Sequence, residues 1–391
     1  MDSRITKKRL SDYLSYQWIF VIVMCVVAII VWELAYTIGS VRLTVGQHFK
    51  FYYDKTVWSG STSDVYNLFD EKDTFSYDIL SVDNEAILSE NDILSTRLYV
   101  QEGDILITNS YEPTDEERED GEIVLAKSRI DNMNIYTLTD LSRDAKAYLF
   151  KFLKDDLQIT ANTNVATIEL EQPPVNATQD EKLVFKAVKN NRIKDEKANA
   201  FDSAVLDFKT GSKEIEEIYS SAIEQSKVSK HFRSRMKKDN RFRSDAEIAS
   251  GIKKETQRIK DLIVEVVDFD KILACTSIHY NYTKYAQSVE VHAEDDYFED
   301  FQSALDMEKA CGRENAPYGI KVEALNNYRA DGKDDTTKYF QLAEAAADEE
   351  NPSSKDVVIM AFNFRAYQPD LQFECIAFMN TMVRACSNIL D

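Results

Sequence analysis

Glycine, proline and histidine are scarce in this chain of 391 residues, which holds 10 Gly, 6 Pro and 4 His. Ten glycines are few for an enzyme built on glycine-rich phosphate-binding loops. No G-x-x-x-x-G-K-[ST], H-E-x-x-H or G-x-S-x-G motif is present. Basic residues are outnumbered by acidic ones, 47 to 68, and the net charge of −21 disfavours attraction to nucleic acid. We therefore predict a protein that is not an enzyme, carries no cofactor or metal, and does not bind nucleic acid.

Cysteine is also sparse, with five residues and no C-x-x-C pair, so neither a zinc ribbon nor a thioredoxin-type centre is supported. Cys275, Cys311, Cys375 and Cys386 lie outside the long apolar run described below. The last two are eleven residues apart on a predicted helix, about 16 Å by helix rise, which is too far for a disulfide between them. We expect buried thiols, and disulfides with other partners remain the alternative.

One long apolar segment is present near the start of the chain. Residues 18–32 (WIFVIVMCVVAIIVW) are uninterrupted, and the run continues to Ile38 with only Glu33 and Thr37 breaking it. A helix of this length crosses a hydrocarbon core of about 30 Å, and Trp18 and Trp32 suit its two interfaces. We predict a transmembrane helix over residues 18–38, with the lipid bilayer as its partner. A cleaved signal peptide and a buried core helix are the alternatives.

Charge around this segment predicts its orientation. Four basic residues precede it, Arg4, Lys7, Lys8 and Arg9, against the acidic Asp2 and Asp12. The positive-inside rule then keeps residues 1–17 in the cytoplasm as a tail and places residues 41–391 outside the cell. The sequence thus predicts a single-pass protein of the cell membrane with an extracellular domain.

The rest of the chain alternates between strand-like and helix-like patterns, as expected for a parallel sheet with crossover helices. The predicted strands cover residues 41–45 (continuing towards 53), 75–82, 105–108, 278–291, 318–322 and 357–364. The predicted helices cover residues 61–70, 92–101, 142–153, 298–310 and 371–390. We therefore expect an α/β fold over about 41–155 and 266–391.

Between these α/β parts, residues 179–265 form a highly charged segment with almost no Gly or Pro, which predicts long helices. Within it, residues 227–260 carry twelve basic and four acidic residues. A solvated helical face is the favoured interpretation, and a patch for an anionic partner such as lipid headgroups is the alternative.

Several stretches resemble one family. They are residues 41–45 (VRLTV), the step Gln101-Glu102-Gly103-Asp104 before 105–108 (ILIT), residues 134–141 (NIYTLTDL), residues 317–320 (PYGI), and the strand at 357–364 followed by the last helix. Their order is similar to that of the extracellular solute-binding proteins of bacterial ABC transporters, with the periplasmic-binding-protein-like type II fold. The resemblance implies a two-lobed ectodomain on the transmembrane helix. This chain departs from the family in keeping a membrane helix and in being poor in Gly and Trp.

Two function classes follow from these observations. The first is a membrane-tethered, solute-binding-like protein that captures a small molecule for a transporter permease or a sensor. The alternative is a non-catalytic cell-surface interaction or structural protein on the same scaffold. For the first class, the candidate ligand-binding residues are Trp58, Asn109, Tyr111 and Tyr280, because they lie at strand ends or in nearby loops, where α/β proteins form their sites.

Overall fold

The computed structural model describes residues 7–39, 47–54, 57–59, 65, 68–69, 75, 79–87, 103–110, 135–151, 175–210, 244–282, 305–342, 353–363 and 370–391. The chain divides into two compact units, Met1–Thr44 and Val45–Asp391. The predicted strand at 41–45, the predicted helix at 92–101 and residues 227–243 of the basic segment lie outside the described residues.

The first unit contains helix α1 (Lys7–Gly39), whose 33 residues include the apolar segment at 18–38. Its described side chains between positions 18 and 33 are exposed, and the large apolar ones among them range from 47% for Val27 to 72% for Trp32. Over the part of the chain that is described, a search for a helix long and apolar enough to cross a membrane finds none.

The second unit is built on a six-stranded mixed sheet with the order β3-β1-β4-β8-β6-β5. Its strands are β1 (His48–Asp54), β3 (Ser81–Ile87), β4 (Ile105–Asn109), β5 (His279–Tyr282), β6 (Ala316–Lys321) and β8 (Val357–Ala361). Strand β1 is parallel to both β3 and β4, whereas β8 is antiparallel to its neighbours β4 and β6, and β5 is antiparallel to β6. The short strands β2 (Val57–Ser59) and β7 (Phe340–Leu342) form a separate antiparallel pair. The predicted parallel arrangement therefore holds for β3, β1 and β4, and the full sheet is mixed.

Within the described part of the chain, the long helices of this unit are α2 (Leu138–Lys151), α3 (Gln179–Thr210), α4 (Asp245–Ala274) and α5 (Asp370–Cys386), and residues 305–310 are also helical. Helix α4 begins at a capping box, in which the Ser244 hydroxyl accepts from the Glu247 N–H at 3.2 Å and the Glu247 carboxylate accepts from the Ser244 N–H at 2.7 Å. Three short 3₁₀ helices cover Thr276–Ile278, Glu323–Tyr328 and Thr336–Lys338. Helix α3 packs on α2, and α5 packs on α4.

The sheet is buried on both faces, which explains why β8 is apolar at every position. Ile359 belongs to the larger core with α5, where the rings of Phe378 and Phe69 stack at 4.3 Å. Met360, its neighbour on the strand, belongs to a second cluster on the opposite side, which also contains Tyr318. Because successive strand residues point to opposite faces, one continuous apolar run serves both clusters.

Several sequence predictions agree with these elements. The strands predicted at 105–108, 318–322 and 357–364 correspond to β4, β6 and β8. The helix predicted at 298–310 corresponds to helical residues 305–310, and the helix predicted at 371–390 corresponds to α5. The predicted helix at 142–153 is α2, which begins four residues earlier. In the last helix, the apolar residues that recur at helical spacing, Ile376, Met379, Val383 and Cys386, are buried.

The predicted strand at 75–82 is wrong at residues 75, 79 and 80, since β3 begins at Ser81, and residues 76–78 lie outside the described residues. The physical reason is that Phe75 contributes to packing before the strand begins. Its ring contacts Phe49 at 4.5 Å and Phe69 at 5.9 Å between ring centroids. An apolar residue that fills the core from an irregular segment gives the same sequence pattern as a strand residue.

Candidate functional site

A groove lies at one edge of the six-stranded sheet. Strands β4 and β6 end at this edge and strands β5 and β8 begin there, because the two pairs run in opposite directions. The register shows this directly, with Asn109 opposite Val357 and Lys321 opposite Val358. The groove has a volume of about 610 Å³, within the range of small-molecule sites.

Most side chains that line the groove are polar. The residues that matter for its chemistry are Ser110, Asn281, Lys321, Glu323, Asn326 and Asp356. Ser110 follows β4, Asn281 lies in β5, and Lys321 ends β6. The groove therefore takes its polar groups from strands β5 and β6, from the residue after β4, from the turn before β8 and from the 3₁₀ helix Glu323–Tyr328.

Backbone hydrogen bonds join the ends of these strands at the groove. The Ser110 N–H donates to the Asp356 carbonyl at 2.6 Å, and the Val322 N–H donates to the Val357 carbonyl at 2.9 Å. Asp356 has a φ of 61°, in the left-handed region that a non-glycine residue adopts at a cost in free energy. These bonds hold the turn before β8 against the ends of both β4 and β6.

A buried polar cluster supports the groove wall behind Asn326. Its side-chain amide donates to the Thr336 hydroxyl at 2.9 Å, and that hydroxyl lies 2.6 Å from the Ser354 hydroxyl. Thr336 and Ser354 are 0% and 2% exposed. Because buried polar groups need partners, this cluster restricts the position of Asn326 beside the groove.

His279 and Tyr280 form the part of the wall contributed by β5. The His279 Nε2–H donates to the Ile272 carbonyl at 2.9 Å, which ties the buried imidazole to the end of α4. The Tyr280 ring stacks on the Tyr282 ring with centroids 6.2 Å apart. Both side chains are thus held by contacts within the protein.

The four candidate residues from the sequence take different positions. Tyr280 lines the groove, and Asn109 ends β4 directly before the lining residue Ser110. Trp58 lies in β2, opposite Gln341 of β7, in the separate two-stranded sheet. Tyr111 lies outside the described residues.

The lining residues Lys321, Glu323, Asn326 and Asp356 were not among the sequence candidates. A signal for two of them was present, because Lys321 lies near the end of the predicted strand 318–322 and Asp356 directly precedes the predicted strand 357–364. What the sequence lacked was the information that these two strands are neighbours, which brings the end of one beside the start of the other.

A second concentration of charge lies between helices α2, α3 and α4. Lys146 of α2 contacts Asp202 at 2.9 Å and Asp270 at 2.8 Å, and Arg143 contacts Asp140 at 2.9 Å and Asp144 at 3.1 Å. Burial raises the pKa of Asp270 above its ordinary value. Cations and carboxylates face one another throughout this cluster, so its role is to join the helices.

Metal-binding and cysteine chemistry add no further site. Among the described residues, no group of three or more His, Cys, Asp or Glu side chains is arranged to hold a metal ion. The five cysteines are free thiols: Cys375 and Cys386 are buried, Cys275 and Cys311 are half-buried, and Cys25 is exposed on α1.

Comparison with known proteins gives no match: no protein-family model, no curated protein and no solved structure resembles this chain significantly.

Proposed function

We propose that this chain is a membrane-tethered extracellular protein that captures a small polar molecule and presents it to a transporter or a sensor. The groove of about 610 Å³ at the edge of the six-stranded sheet carries the proposal. It is concave, its lining is mostly polar, and its walls are fixed by hydrogen bonds between strands. The volume and the concave shape are those of a small-molecule site, and the mostly polar lining, where such sites are usually apolar, is the reason for proposing a polar molecule.

The proposal also includes a two-lobed ectodomain, like that of the periplasmic binding proteins of bacterial ABC transporters. The step Gly103-Asp104 before the buried strand β4 supports this part of the proposal. Asp104 is 1% exposed. Its carboxylate accepts from the Lys50 N–H at 2.8 Å, and its carbonyl accepts from the Phe362 N–H at 2.9 Å. Asp104, which directly precedes β4, thus connects β1 with Phe362, the residue after β8. In this proposal the charged segment 179–265 belongs to the second lobe or is an insertion.

The first helix supports the membrane part of the proposal. Its exposed side chains include Trp18, Ile29 and Trp32, and the uninterrupted apolar sequence of residues 18–32 supplies the argument for a span. In this arrangement residues 1–17 lie in the cytoplasm, residues 18–38 cross the bilayer and residues 41–391 lie outside.

Protease treatment of intact cells tests this topology. We expect external protease to degrade the domain after residue 41 while the chain stays in the membrane fraction after alkaline carbonate extraction. The double variant V27K/I30K places two charges near the middle of the apolar run and should lose carbonate resistance. S11K, outside that run, is the matched control. A wild-type chain that carbonate extracts, or that protease reaches only after lysis, would overturn the topology.

Ligand binding to the groove is tested by thermal unfolding of the full chain in detergent micelles. The panel contains sugars, amino acids, peptides and nucleosides. A ligand at a hundred times its Kd adds about 2.7 kcal/mol and raises Tm by several degrees. N327W places a bulky ring in the groove and should abolish the shift, whereas N190W, on the exposed surface of α3, should preserve it.

The second candidate function, a non-catalytic interaction protein, is favoured by one observation. Helix α3 exposes Leu183 (51%) and Phe185 (38%), two apolar side chains that a partner could cover. If the full panel produces no shift in a folded chain, solute capture is refuted and this candidate replaces it.

A further inference from the structure

The first half of helix α3 exposes cations on the side that faces away from α2. The side that packs on α2 is marked by two ion pairs. Lys194 contacts Asp144 of α2 at 2.5 Å, and Asp202 contacts Lys146 of α2 at 2.9 Å. With 3.6 residues per turn, five positions between 182 and 192 lie on the other side, and all five side chains are exposed. We call them the outward face: Lys182, Phe185, Lys186, Lys189 and Arg192.

The four cations of the outward face form no ion pair with any residue that the structure describes, whereas Lys194 on the opposite side is paired. Nearby acidic residues leave this charge in place. The Glu181 carboxylate accepts from the Thr178 N–H at 2.7 Å and thus caps the helix. Glu196 lies one turn beyond Arg192, where the outward face ends. The result is a positive patch about 15 Å long on a chain of net charge −21.

The residue types of the outward face favour a fluid anionic surface over one fixed carboxylate. Three of its four cations are lysines, whose flexible stems carry a point charge, whereas arginine is the residue suited to rigid bidentate recognition. Phe185, 38% exposed, lies among them. Cations that flank a large apolar side chain are typical of helices that lie on a membrane, where the cations meet headgroup phosphates and the ring enters the acyl boundary.

We propose that the outward face of α3 binds an anionic lipid surface. The four cations contact the headgroup phosphates, and Phe185 inserts between them. This interaction is separate from solute capture in the groove, and it rests on the proposed membrane anchor only for bringing the chain near lipid. The contact depends on salt, because exposed charges are screened over about 8 Å at physiological ionic strength. The acidic remainder of the chain is repelled by the same surface.

Acetylation of lysines in the full chain, reconstituted in lipid nanodiscs and followed by mass spectrometry, tests the proposal. One set of nanodiscs contains phosphatidylcholine alone, and in the other phosphatidylglycerol replaces about a third of it. We expect Lys182, Lys186 and Lys189 to react at least about threefold more slowly in the anionic nanodiscs. Lys355, an exposed lysine in the turn before β8, is the internal reference and should react equally in both. In about 1 M salt the difference should disappear.

Variants separate the outward face from a general effect of charge. R192E reverses one charge of the patch and keeps all three reporter lysines, so the slowing should fall by at least about half. K254E makes the same change of charge at an exposed lysine of α4 and should leave the slowing as in wild type. F185S keeps every charge and should weaken the slowing, since the ring no longer inserts. Far-UV circular dichroism checks that each variant is folded.

Equal reaction of the three lysines in both kinds of nanodisc would overturn the proposal, as would a slowing that Lys355 shares or that R192E leaves unchanged. Slowing by soluble polyglutamate but not by phosphatidylglycerol would assign the patch to an acidic protein instead. A chain that does not enter nanodiscs would refute the membrane anchor alone. The same lysines are then compared on vesicles of the two compositions mixed with the chain, so the anchor and the outward face fail separately.

Discussion

At the scale of single residues, Gly103 shows how one position fixes the path of the chain into a buried strand. Its φ of 117° lies in a region that residues with a side chain rarely adopt. A Cβ added there would lie 2.5 Å from Cε2 of Tyr52 and 3.5 Å from Cδ2 of Phe362. The glycine thus satisfies a backbone requirement and a packing requirement together, and it places Asp104 where its carboxylate accepts from the Lys50 N–H.

Replacing Gly103 by alanine should therefore destabilise the protein more than a comparable change elsewhere. We expect G103A to lower the free energy of unfolding by about 2–4 kcal/mol, since strain and overpacking add. The matched control is G312A, where φ is 69° and no atom lies within 4 Å of the added Cβ, so only about 1 kcal/mol of backbone strain is expected. Urea unfolding of both variants measures the difference, and equal losses would contradict the packing argument.

At the scale of elements, the sequence predicts the buried strands and the last helix well because their signals are local. Strand β8 is a continuous apolar run, and α5 repeats apolar residues at helical spacing, so neither depends on distant neighbours for its pattern. Strand β3 was misplaced because Phe75 packs in the core from outside a strand. The sequence predicted only part of the groove: Tyr280, which lines it, and Asn109, which directly precedes the lining residue Ser110. Its charged residues meet through the pairing of β6 with β8, a long-range contact that no local pattern reveals.

The packing of α5 on α4 depends on one arginine. Arg384 donates to both Glu265 carboxylate oxygens, at 2.8 and 3.1 Å, and to Asp268 at 2.8 Å. Replacing it by methionine leaves the partly buried Glu265 carboxylate without its cation, whereas Asp268 keeps its ion pair with Lys271 at 3.1 Å. We expect R384M to lower the free energy of unfolding by about 1–2 kcal/mol.

The matched control for that change is R329M, which removes the exposed ion pair between Arg329 and Asp335. Exposed pairs contribute little, so a change within about 0.5 kcal/mol is expected. Urea unfolding followed by circular dichroism compares the two variants. An R384M variant as stable as R329M would show that the two helices are held by their apolar side chains alone.

At the scale of the whole molecule, the net charge of −21 makes the ionisation of carboxylates the main variable of acid stability. Individual carboxylates contribute with opposite signs. Burial raises the pKa of Asp270 above 3.8, whereas the hydrogen bond from the Thr337 N–H lowers the pKa of Asp335 below the same value. Asp270 thus contributes stability below pH 3.8 that is lost as pH rises through its folded pKa. Asp335 contributes stability above pH 3.8 that is lost as pH falls through its folded pKa.

The same Asp-to-Asn change should therefore alter the pH dependence of stability in opposite directions at the two positions. From pH 3.8 up through the folded pKa of Asp270, D270N removes a negative contribution to the slope of unfolding free energy against pH, so that slope becomes more positive than in wild type. D335N removes a positive contribution, so its slope becomes less positive. The slope is the quantity to compare, because D270N also removes the ion pair with Lys146. Urea unfolding at several pH values measures both slopes, and a change of the same sign in the two variants would contradict the assignment of burial as the dominant effect on Asp270.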